Sequence, residues 1–482
     1  MNTMAPPVAH IDESIIQALV ARDPVRWWSK PNLRRLYLLL VPFCLFIEST
    51  SGFDSSMMNG MQALTYWKEF FNHPKGGQLG LLVACYNLGA ITSIPFISLV
   101  SDRFGRRKSI VFGSVIMVIG SIMQGLSKNL AMFVFSRIFL GHGIVYAIIA
   151  GAALLGELGH PKERAFLGSM FNAFFGVGAV LGAGIVVQTR LIQSDWSWRL
   201  PSVLQGVPSL IQIVFAFMVP ESPRWLVSKD RHEEALEILI KYHAEGDASA
   251  ELPHVELAEI QAALKIENES RARGWGELFQ TKGMRHRSLV AAALGLFVQF
   301  SGNNLISQYL VPILEKIGIT SSYDQVRYNV GTESWGFLVA LIMATITPRF
   351  PRRKMYLLCA SSLLVVYTAW TIAQARNRIT KSEASGYAVL AMIFLYKPGS
   401  FVNPIGLEKA DWKYLIVYVV WLLFEVVFIW FFFPETYGKT LEELHFLFES
   451  EKDERDQLAA AASKVISDPT IIELHEHPDK KA

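Results

Sequence analysis

Long apolar runs recur along this chain, and the segments between them are polar and, with one exception, short. Helical runs of about twenty residues can cross the hydrocarbon core of a bilayer, whereas the helices of a soluble chain alternate apolar and polar faces. The pattern therefore predicts an all-α polytopic membrane protein. The predicted spans are 36–58, 79–100, 109–127, 131–155, 166–187, 200–219, 289–312, 331–347, 355–374 and 413–433, with a shorter apolar fragment at 386–396.

Composition and the placement of charge agree with this prediction. Of the 482 residues, 51% are hydrophobic and 18% are charged. The net charge of +3 is small, but basic residues concentrate before the first span and in the loops that contain "DRFGRRK", "HPKERA" and "PRFPRRK". Since basic loops favour the cytoplasmic side, both termini are expected there, and the plasma membrane is the expected location.

The sequence contains nothing typical of an enzyme. Its three cysteines, Cys44, Cys85 and Cys359, lie within apolar runs, which indicates small buried side chains rather than disulfides or metal ligands. We find no phosphate-binding loop, nucleophile–base pair or metal-ligand spacing in it, so neither a cofactor nor a metal is expected. A nucleic-acid partner is not expected either.

An internal repeat divides the chain into two related halves. The motif "DRFGRRK" at 102–108 returns as "PRFPRRK" at 348–354, and "PESPR" after the sixth span returns as "PETYGKT" after the last. Repeats of this kind are typical of secondary transporters. The predicted organisation is a cytoplasmic N-terminal segment, a six-helix bundle, a cytoplasmic linker with short amphipathic helices, a second bundle and a cytoplasmic tail, at 1–35, 36–219, 220–288, 289–433 and 434–482.

The second half is shorter than the first. Between the paired motifs lie 118 residues in the first half, from Asp102 to Pro220, but 86 in the second. The second half is therefore 32 residues short, and the shortfall lies around Lys397. Eleven helical residues reach roughly 17 Å, about half of a hydrocarbon core. We expect that 386–396 cannot span alone, that 397–412 is an irregular connector, and that the interruption is a splice scar.

One acidic residue lies deep in the first apolar run. Asp54, in "GFDSSMMNG", would cost roughly 2.5–3.5 kcal/mol there unless it is paired, hydrated or protonated. It is either a proton-binding site that faces a central cavity or an interfacial residue at the outer end of the helix. Arg137 in the fourth span is the candidate partner, because two glycines that follow it allow close helix contact. Glu48 and Glu425 are further intramembrane acids, for which structural pairing and a transport role both stay open.

The seventh span concentrates amides and hydroxyls in "VQFSGNNLISQYL". In a continuous helix Gln299 and Asn304 diverge by about 140°, but unwinding at Gly302 would bring both to one cavity. Amides place a donor beside an acceptor, which suits neutral polyols such as sugars, and interhelical polar contact is the alternative. The candidate sugar-binding residues are Gln299, Asn303, Asn304, Gln308 and Tyr309, with Asn172 of the fifth span as a weaker one.

The repeated basic loops predict a cytoplasmic gate network, or latch. A carboxylate in such a loop can be held by an Arg from a neighbouring helix end and released when the halves rock against each other. A purely topogenic role would explain the basic residues but not the repeated pattern. The candidate latch residues are Asp102, Arg103, Gly105, Arg106, Arg107, Glu157, Arg164, Glu221, Arg224, Arg352 and Arg353.

Together these segments resemble the sugar porter family of the major facilitator superfamily, with the closest likeness to fungal lactose permease-like and hexose transporters. The resemblance implies a major facilitator fold of two six-helix halves, alternating access and, in many members, sugar uptake coupled to protons. It implies that Asp54 is the protonatable residue and Arg137 its partner. It also implies that Gln299 and Asn304 match sugar-binding amides, and that Asn172 replaces a fifth-helix Gln. The matching segments, in family order through nearly the whole chain, are "GFDSSMMNG", "SDRFGRRK", "SRIFLGHG", "PESPRWL", "QFSGNNLISQYL", "WKYLIVY" and "PETYGKTLEEL".

Departures from the family pattern concentrate in the second half. Pro348 and Pro351 stand where the second latch should carry Asp and Gly, and Gly336 stands where an eighth-helix Asn is typical. Ser55 replaces the Gly that usually follows the first-helix Asp. The outer part of the tenth helix and most of the eleventh are expected to be missing, which leaves about ten full spans and one short segment.

The predicted function is transport of a small neutral sugar, a hexose or a disaccharide, by proton-coupled symport through a monomer in the lipid bilayer. The alternative is a non-transporting membrane protein, either a sugar sensor or regulator or an inactive truncated isoform. The tail after residue 449 is short for a signalling tail, so the truncation favours the inactive isoform within that alternative.

Overall fold

The computed structural model describes residues 18–271, 279, 282–300, 303–346, 351–380, 383–396 and 412–433. Every regular element in these residues is a helix, which confirms the all-α prediction. The segment 397–411, which holds nearly all of the predicted connector, and the tail at 434–482 lie outside the described residues.

The first half is built from long helices whose bounds agree with the first five predicted spans. The first helix begins with Pro31, whose missing N–H costs nothing at this position, and it contains one π-helical turn at Val41–Leu45. The helices are α1 Pro31–Met61, α2 Thr65–Phe70, α3 Gly76–Phe104, α4 Arg106–Gly125, α5 Leu130–Leu158, α6 Arg164–Thr189, α7 Trp196–Leu204 and α8 Val207–Phe215.

The predicted sixth span is interrupted. In place of one helix at 200–219, α7 ends at Leu204 and α8 begins at Val207. Pro208 lies in the first turn of α8, where its missing N–H is tolerated, and it could not have continued α7 without losing a hydrogen bond. Gln205 and Gly206 lie between the two helices and are the local signal for the break, through which the predicted span ran.

The linker and the second half are also helical where they are described. The linker contains the two amphipathic helices that were predicted, and Ala235 of the first packs with Leu226 and Val227. The helices are α9 Pro223–Val227, α10 His232–His243, α11 Glu251–Arg271, α12 Lys282–Phe300, α13 Asn303–Lys316, α14 Ser322–Ile346, α15 Arg352–Thr380, α16 Glu383–Tyr396 and α17 Trp412–Phe432.

Two spans of the second half differ from their predicted bounds. The predicted span at 289–312 is divided between α12 and α13, and the expected unwinding point, Gly302, lies outside the described residues. The span predicted at 331–347 begins at Ser322, because its first turns contain buried polar residues such as Gln325 and Asn329 that lower the local hydropathy.

Six helices in the described part of the chain are long and apolar enough to cross a membrane: α1, α3, α4, α5, α6 and α15. Shorter apolar helices lie at Ala384–Tyr396 and Val419–Phe432. The 14 residues of α16 reach about 21 Å, less than the roughly 30 Å of a hydrocarbon core. The 32-residue shortfall itself stays a prediction, since it falls at residues that are not described.

Glycines bring the helices of the first half into backbone contact. A Cβ added to Gly141 on α5 would lie 1.8 Å from the carbonyl oxygen of Tyr86 on α3. A Cβ added to Gly52 on α1 would lie 1.9 Å from the carbonyl oxygen of Phe175 on α6. These close approaches hold α1, α3, α5 and α6 together around the buried charges described next.

Candidate functional site

A buried ion pair joins the first and fourth predicted spans. The guanidinium of Arg137 donates from Nη1 to Asp54 Oδ1 at 2.9 Å and from Nη2 to Asp54 Oδ2 at 3.2 Å. Asp54 is 5% exposed and Arg137 is 1% exposed, so neither charge is compensated by bulk water. The guanidinium also lies 5.4 Å from the ring centroid of Tyr86. The structure thus brings together the two residues that the sequence suggested as partners.

The pair is held in a bidentate geometry by two helices that are each packed closely against a neighbour. Asp54 follows Gly52, whose close approach to α6 fixes α1, and Arg137 precedes Gly141, whose approach to α3 fixes α5. Two parallel hydrogen bonds between charged groups are strong and directional. Removing either charge alone would leave the other buried without compensation, so protonation of Asp54 would change the balance of forces between α1 and α5.

Gln308 is the sugar-site candidate whose side chain the structure describes best. Its Nε2 donates to Ser55 Oγ of α1 at 3.1 Å, so it lies where the two halves meet. Its Oε1 is buried and has no hydrogen-bond partner among the described residues. An unpaired buried amide oxygen is a ready acceptor for a ligand hydroxyl. Tyr309, the next residue, is buried.

The other amide candidates are placed less completely. Asn172 is exposed on α6, and its Nδ2 donates to the carbonyl of Gly168 in the same helix at 3.3 Å. For the remaining three the structure gives a helical backbone, but their side chains lie outside its description: Gln299, Asn303 and Asn304.

A kink in α13 is stabilised by α1. Tyr309 has φ −130° and ψ 23°, three residues before Pro312. Proline lacks an N–H and crowds the carbonyl four residues earlier, which here is that of Gln308. Gln62 of α1 supplies the missing donor, since its Nε2 lies 2.7 Å from this carbonyl oxygen.

Further hydrogen bonds cross between the halves beside this kink. The backbone N–H of Leu310 donates to Asn59 Oδ1, and Asn59 Nδ2 donates to Asn329 Oδ1, both at 3.1 Å. Asn329 Nδ2 donates in turn to the carbonyl oxygen of Ser56 at 3.1 Å. We call Asn59, Gln62, Gln308 and Asn329 the inter-half bridge.

Most of the inter-half bridge was missed by sequence reasoning, although a signal was present. Ser56, Asn59 and Gln62 are spaced three residues apart in an apolar run, and this spacing places them on one face of α1. The bridge lies at the end of the molecule where α1 finishes. At the same end Lys68 of α2 forms an ion pair with Glu315 of α13 at 2.9 Å.

The opposite end of the first half contains the core of the predicted latch. Arg106 donates from Nε and Nη2 to the two carboxylate oxygens of Glu157, both at 3.1 Å. Glu221 accepts from the backbone N–H of Arg106 at 3.0 Å and of Arg107 at 3.2 Å, at the N-terminus of α4 where the helix dipole favours a carboxylate. Gly105 turns the chain from α3 into α4 with φ +93°, a value that suits glycine.

Other latch candidates of the first half have different partners. Arg164 binds Glu256 of the linker helix α11 at 3.2 Å and donates to the carbonyl of Gly159. Asp102 lies 3.9 Å from Arg106 within its own turn. The guanidinium of Arg103 lies over the ring of Phe104, and Arg224 is half-buried in α9.

The second copy of the motif keeps one kind of contact of the first, in which Arg107 donates from Nη1 to the carbonyl oxygen of Val219 at 3.1 Å. Arg353 donates from Nη2 to the carbonyl oxygen of Trp430 in α17 at 2.5 Å. Arg352 begins α15, and its side chain lies outside the described residues.

A histidine–carboxylate cluster that the sequence did not reveal joins the linker to the first half. Glu256 is 1% exposed, with Oε2 2.5 Å from His243 Nδ1 and Oε1 3.2 Å from Arg164 Nη2. His243 also reaches the carbonyl oxygen of Leu158 at the end of α5. Burial alone would raise the pKa of the Glu256 carboxyl, but His243 and Arg164 hold this pKa below its ordinary value. The cluster thus fixes α10 and α11 beneath α5 and α6.

Comparison with known proteins identifies the family. Residues 41–400 match the family described as "Sugar (and other) transporter". The chain is 26% identical over 475 residues to a high-affinity glucose transporter of Kluyveromyces lactis, across 86% of this chain and 85% of the relative. It is 26% identical over 461 residues to high-affinity glucose transporter 1 of Candida albicans, across 83% of each.

The fold has a counterpart among solved structures. The proton:xylose symporter XylE bound to 6-bromo-6-deoxy-D-glucose superimposes with a TM-score of 0.71 at 19% identity, across 86% of this chain and all of that one. A partially occluded inward-open form of the E. coli xylose transporter gives a TM-score of 0.68 at 20% identity. The chain therefore belongs to the Sugar (and other) transporter family, the sugar porters of the major facilitator superfamily, and is a membrane transporter rather than an enzyme.

Proposed function

We propose that this protein is a proton-coupled symporter of a hexose-sized neutral sugar that works by alternating access. The observation that carries the proposal is the buried bidentate pair of Asp54 and Arg137. A carboxylate at this depth is either ionised and paired with the arginine or protonated and released from it. Binding of a proton therefore changes the contact between α1 and α5.

Proton binding is coupled to the relative movement of the two halves through α1. The helix carries Asp54 and, within eight residues, both Asn59 and Gln62 of the inter-half bridge. Protonation of Asp54 releases Arg137 and frees α1 to move relative to α5. Movement of α1 then loosens its hydrogen bonds to α13 and α14, which opens the end of the molecule where the bridge lies.

The sugar site is proposed to lie beside this bridge. Gln308 offers the unpaired Oε1 next to Ser55, and the other amides of the seventh predicted span are proposed as its neighbours in the same cavity. The proposed sugar contacts are therefore Gln299, Asn303, Asn304, Gln308, Tyr309 and Asn172. A hexose is favoured because two relatives are named as glucose transporters. Proton coupling is supported by a structural neighbour that is named as a proton:xylose symporter.

The latch is proposed to work at the other end in the same cycle. The contacts among Arg106, Glu157 and Glu221 hold the start of α4 and the end of α5 to the start of the linker. These contacts would form and break as the halves rock against each other. We propose that this end is cytoplasmic, because the basic loops lie there, and that the protein is a monomer of the plasma membrane with both termini inside.

The truncated second half is part of the proposal. A loss of 32 residues around Lys397 removes parts of two crossings and so preserves the orientation of the last one. Sequencing the transcript across codons 390–410 tests this point directly. A transcript that encodes about 32 further residues there would contradict an authentic truncation.

Labelled glucose uptake into cells that lack their own hexose carriers tests the function. A potential of 100 mV supplies about 2.3 kcal/mol per proton, enough for roughly fifty-fold accumulation. Accumulation should rise with external acidity, collapse with a protonophore and be lost in Asp54→Asn, whereas Glu69→Gln, which removes an exposed carboxylate, should leave it unchanged. Full accumulation by Asp54→Asn would exclude a role for Asp54 in proton coupling.

A further inference from the structure

A second carboxylate lies on the same helix as Asp54, on the least buried face of this part of the helix. Within residues 47–61 of α1, the side chains that are not fully buried are those of Glu48, Ser51 and Ser55. Their spacing of three and four residues places them in one stripe along the helix. The stripe runs about 10 Å along the helix axis, from Ser55 toward the latch end.

The neighbouring faces of α1 are occupied by other helices of the first half. Ser49 donates to the carbonyl oxygen of Phe174 on α6, and Thr50 accepts from Gln212 on α8. At Ser55 the stripe meets the second half, through the bond to Gln308, and at Ser51 it meets Tyr86 of α3. Glu48 lies one helical turn from Ser51, at the end of the stripe nearer the latch.

Glu48 has no hydrogen bond or salt bridge with the described residues, in contrast to Asp54. Its electrostatic neighbour is Tyr86, whose hydroxyl is hydrogen-bonded to Ser51 of the stripe and which also interacts with Asp54 and Arg137. Tyr86 thus stands between the two carboxyl groups. The ionisable groups at membrane depth on α1 and on the described helices around it are, besides Glu48, Cys44, Asp54, Cys85, Tyr86, Arg137, His142, Tyr146, Tyr309, Tyr328 and Glu333.

We propose that Glu48 is a second proton-binding residue, which accepts the coupled proton from Asp54 and releases it toward the latch end. This inference rests on the proposed proton coupling. The O–H bond at Asp54 breaks and one forms at Glu48, directly through Tyr86 and Ser51 or through cavity water. Asp54 then regains its charge beside Arg137, and Glu48 passes the proton to water.

The arrangement keeps the site neutral throughout this transfer. With one proton shared by two carboxyl groups, the single charge of Arg137 is balanced both when Asp54 is ionised and when Glu48 is ionised. The two states differ in the distance between Arg137 and the ionised carboxylate. The two carboxyl-bearing positions are six helical residues apart, which is about 9 Å along the helix axis. A proton on Asp54 thus leaves Arg137 with a distant counter-ion instead of none, which lowers the cost of the protonated state.

The test separates net transport from exchange in proteoliposomes that contain the full chain. Net uptake driven by a proton gradient requires the proton to leave at the latch end in every cycle, whereas exchange of labelled for unlabelled glucose at equal pH does not. Glu48→Gln should lower gradient-driven uptake at least tenfold and leave exchange within twofold of wild type. Glu48→Asp, which keeps the carboxyl group, should restore most of the uptake, and the exposed Glu69→Gln should change neither rate.

Three outcomes would overturn the inference in distinguishable ways. Gradient-driven uptake by Glu48→Gln at the wild-type rate would exclude the relay and leave proton coupling through Asp54 intact. Equal loss of uptake and exchange would show that Glu48 only supports the fold. A wild-type protein that carries glucose without protons would overturn the coupling itself and the relay with it.

Discussion

The two halves carry the same loop motif but cannot fold it in the same way. In the first half Gly105 adopts φ +93°, and this turn lets Glu221 reach the backbone N–H groups that begin α4. In the second half Pro351 stands at the equivalent position, and proline fixes φ at about −65°. Pro348 likewise replaces the carboxylate of Asp102. The second copy therefore lacks the turn and the acidic side chain of the first.

The contacts of the two arginine pairs agree only in part. Arg106 binds the Glu157 carboxylate through two hydrogen bonds. The second arginine of each copy contacts a carbonyl oxygen: Arg107 donates to that of Val219 at 3.1 Å, and its counterpart Arg353 donates to that of Trp430. The described packing between α12 and α17 is largely aromatic, with Phe297 against Trp421, Phe424, Phe428 and Phe433. Among the described contacts, the carboxylate pair of Arg106 is thus what the first half has in addition.

The largest expected effect comes from breaking the buried pair of the first half. Arg137→Met leaves Asp54 ionised and buried, which should cost roughly 3–5 kcal/mol in the free energy of unfolding. The double variant with Asp54→Asn should recover most of this loss, because no uncompensated charge remains. Thermal unfolding of the detergent-solubilised protein measures both. A single variant as stable as the double one would contradict the account.

A smaller and directly comparative effect is expected at the two latches. Glu157→Gln removes the charge that Arg106 binds and should destabilise the protein by about 1–3 kcal/mol, whereas Arg353→Met should cost about 1 kcal/mol or less. The same unfolding assay compares them, with Glu69→Gln as an exposed control. Equal losses at the two sites would show that the carboxylate pair adds nothing beyond a contact to a carbonyl oxygen, and would contradict the account.

Substitutions in the inter-half bridge should change the conformational equilibrium of the protein more than its free energy of unfolding. Gln62→Ala leaves the Gln308 carbonyl without its donor and should weaken the closed end by about 1 kcal/mol, a change of roughly fivefold in population. A cysteine introduced at Ser55 should then react about fivefold faster with a thiol reagent added at this end. Unchanged labelling would exclude the bridge as a gate.

The smallest expected effect is a pH dependence of the linker. Because the pKa of the Glu256 carboxyl is lowered in the folded state, its contribution to holding α11 is present above the ordinary value of about 4.3 and is lost as the pH falls through the folded value. Limited proteolysis of α11 between about pH 5 and about pH 2 should show release only below the ordinary value. If Glu256→Gln releases α11 with the same pH dependence, another group controls it.

Much of the fold and one part of the site followed from local sequence signals. Asp54 and Arg137 could be paired in advance, because each is a rare charge in an apolar run and buried charges seek each other. The pairing of Arg164 with Glu256, 92 residues away, could not be predicted, since several acidic residues lie at similar helix ends. Asn59 and Asn329 are 270 residues apart, and no local pattern tells which amides will meet.

Helix breaks were the other limit. Hydropathy reports only the mean over a run, so the span predicted at 200–219 included Gln205, Gly206 and Pro208. Their local effect on the helix is not visible in that mean.

The most direct test of the central claim measures sugar and proton movement together. Proteoliposomes with a pH-sensitive dye inside would be given a pulse of glucose without an imposed gradient. The account predicts that wild-type protein acidifies the interior as glucose enters, and that Asp54→Asn admits glucose down its gradient with no acidification. Acidification by the Asn variant equal to that of the wild type would contradict it.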